Sequence, residues 1–151
     1  MIVIGYPGVG KSTVAKRNDV YVDFDSSMFP KKDGWEEEYV NNAIGLSKQG
    51  HIVFVSAHKK VQDLLFDCGE RVVVVYPSLT LHDFWIDKLR DRYEITHSES
   101  DKRALMRCVC HYCEDILELE DSKFETKIEL KRANEYDLEV ELEEALKRES
   151  V

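Results

Sequence analysis

Residues 5 to 13 read Gly-Tyr-Pro-Gly-Val-Gly-Lys-Ser-Thr, directly after the apolar start Met1-Ile2-Val3-Ile4. Glycines at this spacing let the backbone turn so that successive N–H groups point into one concavity, which fits a phosphate group. Lys11 stands where its ammonium can reach the β- and γ-phosphates of a nucleoside triphosphate, and the Ser12 hydroxyl where it can ligate Mg²⁺. A helix opening near Ser12 adds the positive end of its dipole. Gly8, Val9, Gly10, Lys11, Ser12 and Thr13 are therefore the expected binding residues for the donor, ATP, with Ser12 also a metal ligand.

Two acids, Asp23 and Asp25, follow the next β-branched run. The strand is expected to end between them, so that Asp23 serves the Mg²⁺ region through water. Asp25, further into the cleft, then accepts a hydrogen bond or proton from a substrate hydroxyl. The alternative is a polar strand exit in which Asp25 caps the following turn. The third run ends Val55-Ser56-Ala57-His58, with no carboxylate where many phosphate-loop NTPases place a metal-binding aspartate. That argues against a motor-type ATPase and puts weight on Asp23. Ser56 is a candidate to hold a Mg²⁺-bound water; His58 either touches the acceptor or faces solvent at a helix start.

Beyond Tyr76-Pro77-Ser78 lies a basic cluster of Lys88, Arg90 and Arg92. Phosphoryl transfer spreads negative charge over the moving group, and arginine offers a planar fork to receive it. Arg90 and Arg92 are the expected catalytic arginines, and the polar stretch 96–100 would let them swing. Arg103 and Arg107, four apart, share a helix face and could meet them across a hairpin. The competing reading pairs these arginines with Asp87, Asp91, Glu94 and Asp101 on a solvated surface.

These residues need a frame. Short β-branched or apolar runs at 2–4, 20–24, 52–55 and 72–76 alternate with helical spacing at 12–17, 35–48 and 59–66, which predicts a parallel sheet covered on both faces. A helical hairpin is predicted over 80–93 and 100–119, the second helix burying Leu105, Val109, Cys113 and Ile116. A fifth, edge strand falls within 124–130 and a last helix within 136–148, with Leu138, Leu142 and Ala145 or Leu146 as its buried stripe. Ligands of open α/β sheets bind beyond the carboxyl ends of the strands, where the loop, both acids, Ser56 to His58 and Tyr76 to Ser78 all fall.

A length of 151 residues and 43% hydrophobic content suit one domain spanning 1–151. With the phosphate loop at residue 5 and no run of about 18 apolar residues, a signal peptide and a membrane span are not expected, and the four cysteines are expected as cytoplasmic thiols. The net charge of −9, concentrated toward the C-terminus, would repel long nucleic acid. Cys108, Cys110, His111 and Cys113 lack the paired spacing of a zinc site.

With Gly-x-Pro-Gly-x-Gly-Lys-Ser-Thr, Asp23-Phe24-Asp25 and an arginine-bearing hairpin after the fourth strand, the chain resembles the adenylate-kinase-like P-loop kinases. That group includes nucleoside monophosphate, shikimate, gluconate and polynucleotide 5′-kinases, and small phage-type nucleotide kinase-like proteins are similar. The resemblance implies an α/β three-layer sandwich with a five-stranded parallel sheet in the order 2-3-1-4-5. It implies a lid over about 79–119, an acceptor segment over about 26–50, and adenine between the lid base and Lys131 to Asn134. It places the acceptor near Asp25, Ser26, Ser27 and Trp35 to Tyr39. Asp23-Phe24-Asp25 looks more like the hydroxyl-phosphorylating members. The absence of arginine between Ser26 and Gly50 argues against a phosphate-bearing acceptor. The expected activity is ATP- and Mg²⁺-dependent transfer of the γ-phosphoryl group to a small acceptor such as a nucleoside, nucleotide or similar metabolite. The alternatives are a nucleotide-binding regulatory module or slow ATPase, and a polynucleotide 5′-hydroxyl kinase.

Overall fold

The computed structural model describes residues 1–149, the side chain of Met28 excepted. Strands β1 (Ile2–Gly5), β2 (Tyr21–Asp23), β3 (Ile52–Val55), β4 (Val72–Pro77) and β5 (Thr126–Leu130) form one sheet in the order β2-β3-β1-β4-β5. Every pairing is parallel. All four residues of β1 are buried, as a central strand covered on both faces requires. At the edge, β5 buries Ile128 and Leu130 and exposes Glu129 between them, the alternation that its sequence predicts.

Helices α1 (Lys11–Arg17), α2 (Trp35–Lys48), α3 (Lys59–Leu65) and α6 (Leu138–Glu149) complete the layers, and α4 (His82–Thr96) and α5 (Glu99–Glu120) make the hairpin. Helix α1 has only seven residues. Arg17 fastens its end to α6, donating to Asp137 at 2.5 Å and approaching Glu139 at 3.4 Å, while Asn18 donates to Glu139 at 2.7 Å.

The hairpin differs from expectation in two ways. The buried face of α5 is Cys108, Tyr112, Ile116 and Leu119, whereas Val109 and Cys113 face solvent. A tyrosine with a partnered hydroxyl wins over a smaller thiol. Tyr112 donates to the Ser78 carbonyl at 2.7 Å and stacks on His82 with centroids 4.4 Å apart, and its ring contributes the larger apolar area. A non-helical φ of −132° at His111 marks a kink beside it. Secondly, the 96–100 stretch is a tight turn. His97 adopts φ +51°, Ser98 caps α5 by accepting from the Asp101 N–H at 3.1 Å, and the Thr96 hydroxyl donates to the Asp101 carboxylate. Among the described residues no helix is long and apolar enough to cross a membrane.

Candidate active site

The loop from β1 into α1 rims a cavity of about 830 Å³ beyond the carboxyl ends of the strands. Gly8 and Gly10 hold φ of +91° and +109°, which side chains resist, and Gly10 is the N-cap of α1. A Cβ on Gly8 would meet Trp85 Nε1 at 3.0 Å and Leu89 Cδ2 at 3.1 Å, so the loop lies against the base of α4. Two rings fix its carbonyls from behind. Trp85 Nε1 donates to Pro7 O and the Tyr136 hydroxyl to Val9 O, both at 2.8 Å. Lys88 joins these anchors, donating to the Tyr136 hydroxyl and Ala133 O at 3.2 Å each, its ammonium 4.4 Å from the Trp85 ring centroid. With the Pro7 and Val9 carbonyls bound outward, the amides of Gly8, Gly10 and Lys11 are left for a phosphate, whereas the Val9 N–H donates to Tyr6 O at 3.3 Å.

Lys11 Nζ donates to Gly5 O at 2.8 Å. Burial pushes its pKa down to about 8, against the opposing pull of Asp23 and Asp25 and with the help of Arg92. Ser12 and Asp23 both line the cavity. Burial raises the Asp23 carboxyl above its ordinary range, with Lys11 opposing and Asp25 adding to the rise. Among the described residues no group of three or more His, Cys, Asp or Glu could hold a metal. A hydroxyl and one carboxylate beside a phosphate cradle nevertheless fit Mg²⁺, which takes one or two protein oxygens and completes its shell with phosphates and water.

β2 ends at Asp23, and Asp25 follows as the cap of a 3₁₀ turn at Ser26–Met28, its Oδ1 accepting from the Ser27 N–H at 2.9 Å. The capping role and the cavity position coexist, because a carboxylate has a second oxygen. Tyr39 ties the neighbouring strand ends together: its hydroxyl donates to Phe24 O and accepts from Ser56 N–H at 3.2 Å. Burial pushes that phenol up to about 12, which keeps it a donor.

Asp25, Ser26, Ser27 and Lys31 line the cavity, while the aromatic residues expected beside the acceptor stand behind them. Tyr39 is fully buried, and the Trp35 ring supports Lys31, with Nζ 3.7 Å from its centroid, and His58, edge-on at 5.6 Å. His58 lines the cavity and contacts Ser56 Oγ through Nδ1 at 3.0 Å. Burial and then the charges of Lys31, Lys11 and Arg107 lower its pKa, favouring the neutral ring.

The two expected catalytic arginines separate. Arg92 lines the cavity and pairs with the buried Asp101, Nε to Oδ1 at 2.9 Å. Arg90 does not line it; it pairs with Asp87 at 3.1 Å on the exposed side of α4. Helical geometry explains the split, since Trp85, Lys88, Leu89 and Arg92 share one face and Arg90 is turned away from it. From α5, Ser100, Arg103, Ala104, Arg107, Asp115 and Glu118 line the cavity at helical spacing. Arg107 forms two 2.8 Å bonds to Asp115, and Glu118 accepts from Gln62 at 3.1 Å. Asp115, Glu118 and the ring anchors Trp85 and Tyr136 are the participants that motif reading misses. On the donor side Asn134 reaches the cavity, whereas Lys131 and Arg132 line a separate hollow of about 310 Å³.

No family model matches this chain, and no curated protein matches it. Among solved structures it is similar to a gluconokinase from Sinorhizobium meliloti 1021, at 15% identity over 97% of this chain and 88% of that one, with a TM-score of 0.48. At that identity and score the likeness speaks to neither substrate nor mechanism.

Proposed function

We propose that the protein is a phosphotransferase that moves the γ-phosphoryl group of ATP to a hydroxyl of a small acceptor. The observation that carries this reading is one cavity lined by a phosphate loop with its lysine, two successive strand-end carboxylates and an arginine-bearing hairpin. Gly8 to Thr13 bind the triphosphate, with Lys11 transferring its hydrogen bond from Gly5 O to the phosphate oxygens. Ser12 and Asp23 hold Mg²⁺, which when bound neutralises phosphate charge. Asp25 orients the acceptor hydroxyl and takes its proton as the oxygen bonds to the γ-phosphorus and the bond to the β–γ bridging oxygen breaks, releasing ADP. Arg92 leaves Asp101 for the equatorial oxygens of the moving group.

A regulatory module or slow ATPase draws support from the β3 end, where Ser56, Ala57 and His58 line the cavity without a carboxylate. Incubation with γ-labelled ATP and a panel of nucleosides, nucleoside monophosphates, polyols, sugar acids and 5′-hydroxyl oligonucleotides separates the readings. Label on a small acceptor is expected. ATP binding with label passing only to water would replace the kinase by the slow ATPase.

A further inference from the structure

Helix α5 is apolar along two faces, and the fold covers only one. Cys108, Tyr112, Ile116 and Leu119 lie in the core, while Met106, Val109, Cys110, Cys113 and Leu117 stay exposed. None of these five lines the cavity. Met106 and Cys110 stand four residues apart, as do Cys113 and Leu117, so each pair shares a face on its own side of the His111 kink. Single exposed apolar side chains are ordinary, but a stripe along most of a helix is the pattern of a surface that meets another.

Charge along the same helix identifies what it meets. Residues 99–110 carry Lys102, Arg103 and Arg107 against Glu99 and Asp101, whereas residues 111–120 carry four acids and no lysine or arginine. A second copy of α5 laid antiparallel on the first puts the basic half of each over the acidic half of the other and sets the helix dipoles in opposition; a parallel copy would stack acid on acid. The register is self-complementary as well. About a dyad between His111 and Tyr112, Met106 faces Leu117 of the second copy, Cys110 faces Cys113, and Lys102 faces Asp121, each pairing occurring twice. Lys102 and Asp121 are both exposed and have no ion pair among the described residues.

We propose that the chain forms a two-fold homodimer through this stripe of α5, antiparallel and in that register. The inference is independent of the reaction that the cavity performs. A contact along one helix lies at the small end of interface sizes and the net charge of −9 opposes approach, so the dissociation constant should be on the order of 10–100 µM. Sedimentation velocity of the full chain under reducing conditions, from about 5 to 500 µM, should follow monomer passing into dimer. Met106→Glu and Leu117→Lys, both at exposed positions and checked for folding by circular dichroism, should each raise the dissociation constant at least about 10-fold, because each sets two charges against apolar partners. Mixed in equal amounts, the two variants should dimerise again, since one contact then sets a carboxylate against an ammonium and the other keeps methionine against leucine. A chain that stays monomeric throughout overturns the proposal and leaves the stripe to a partner of another kind. A dimer that neither substitution weakens overturns it by placing the interface elsewhere, and variants that weaken the dimer singly but fail to recover it on mixing overturn the register.

Discussion

At the phosphate-loop end of the cavity Trp85 and Tyr136 fix the carbonyls of Pro7 and Val9, while on the hairpin side Arg92 and Arg107 rest on Asp101 and Asp115. The first kind of contact leaves the amides aimed before any ligand arrives. The second must be exchanged for contacts with substrate. The arginines are half-exposed but Asp101 and Asp115 are largely buried, so leaving them unpairs a carboxylate, a cost that contacts with substrate must offset. On the proposed reading the phosphate-loop, donor half is preorganised, and the hairpin side, where the acceptor half lies, is assembled on binding. If the contrast is sound, substitutions at the two ends should separate cleanly into effects on ATP affinity and effects on transfer.

The largest effect is expected at Asp25. Asn retains an oxygen to accept from the Ser27 N–H, so Asp25→Asn keeps the turn cap and removes only the charge and the proton acceptor. Transfer should fall by about 10³, within the range of general-base catalysis, with ATP affinity unchanged by calorimetry. Equal losses in affinity and turnover would break the division, because they would make Asp25 part of the donor half.

The arginines of α4 give a sharper comparison on a single helix. Arg92→Ala should lower turnover by about 10²-fold and leave the dissociation constant for ATP within a few-fold, since its charge is required mainly as the phosphoryl group moves. Arg90→Ala should change neither, its only ion pair among the described residues being the exposed one to Asp87. A large effect at Arg90 would mean that the hairpin rotates in the working complex.

That pair also shows how far the sequence reaches. The phosphate loop is legible because its glycines, lysine and serine act through local backbone geometry, and the alternating β-branched runs yield the sheet. The choice between Arg90 and Arg92 is legible only once Trp85 and Leu89 are known to be the buried face of α4, one turn before Arg92. On α5 two stripes compete, and the one that wins contains Tyr112, whose hydroxyl partner lies 34 residues away. The loop anchors are beyond any local pattern, because Trp85 and Tyr136 meet carbonyls 78 and 127 residues distant. What is long-range in sequence here is also what preorganises the donor half.

Trp85→Phe tests that preorganisation directly. The ring still fills its buried place against Gly8, but Pro7 O loses its donor. ATP affinity should fall about 5- to 10-fold and stability by about 1 kcal/mol, the usual worth of such a bond. Turnover at saturating ATP should be nearly retained. A loss confined to turnover would mean that the carbonyl anchor acts on the acceptor half instead.

The smallest expected effect is a proton linkage at Lys11. Burial lowers its pKa to about 8, and phosphate oxygens beside the ammonium should raise it again. Binding at a pH above about 8 must then take up a proton, whereas at a pH near 7 the lysine is already charged and little is taken up. The sign follows: ATP affinity declines as pH rises, by about 4-fold between pH 7 and 8.5 for a single group of this kind. Calorimetry in buffers of different ionisation enthalpy should show uptake at pH 8.5 that disappears in Lys11→Met, measured at ATP concentrations high enough to saturate that weaker-binding variant. Uptake that persists without Lys11 would assign the proton to another group. That group would not be His58, whose pKa burial depresses, so that any uptake through it beside a bound anion would be strongest at the neutral end of the range and small at pH 8.5.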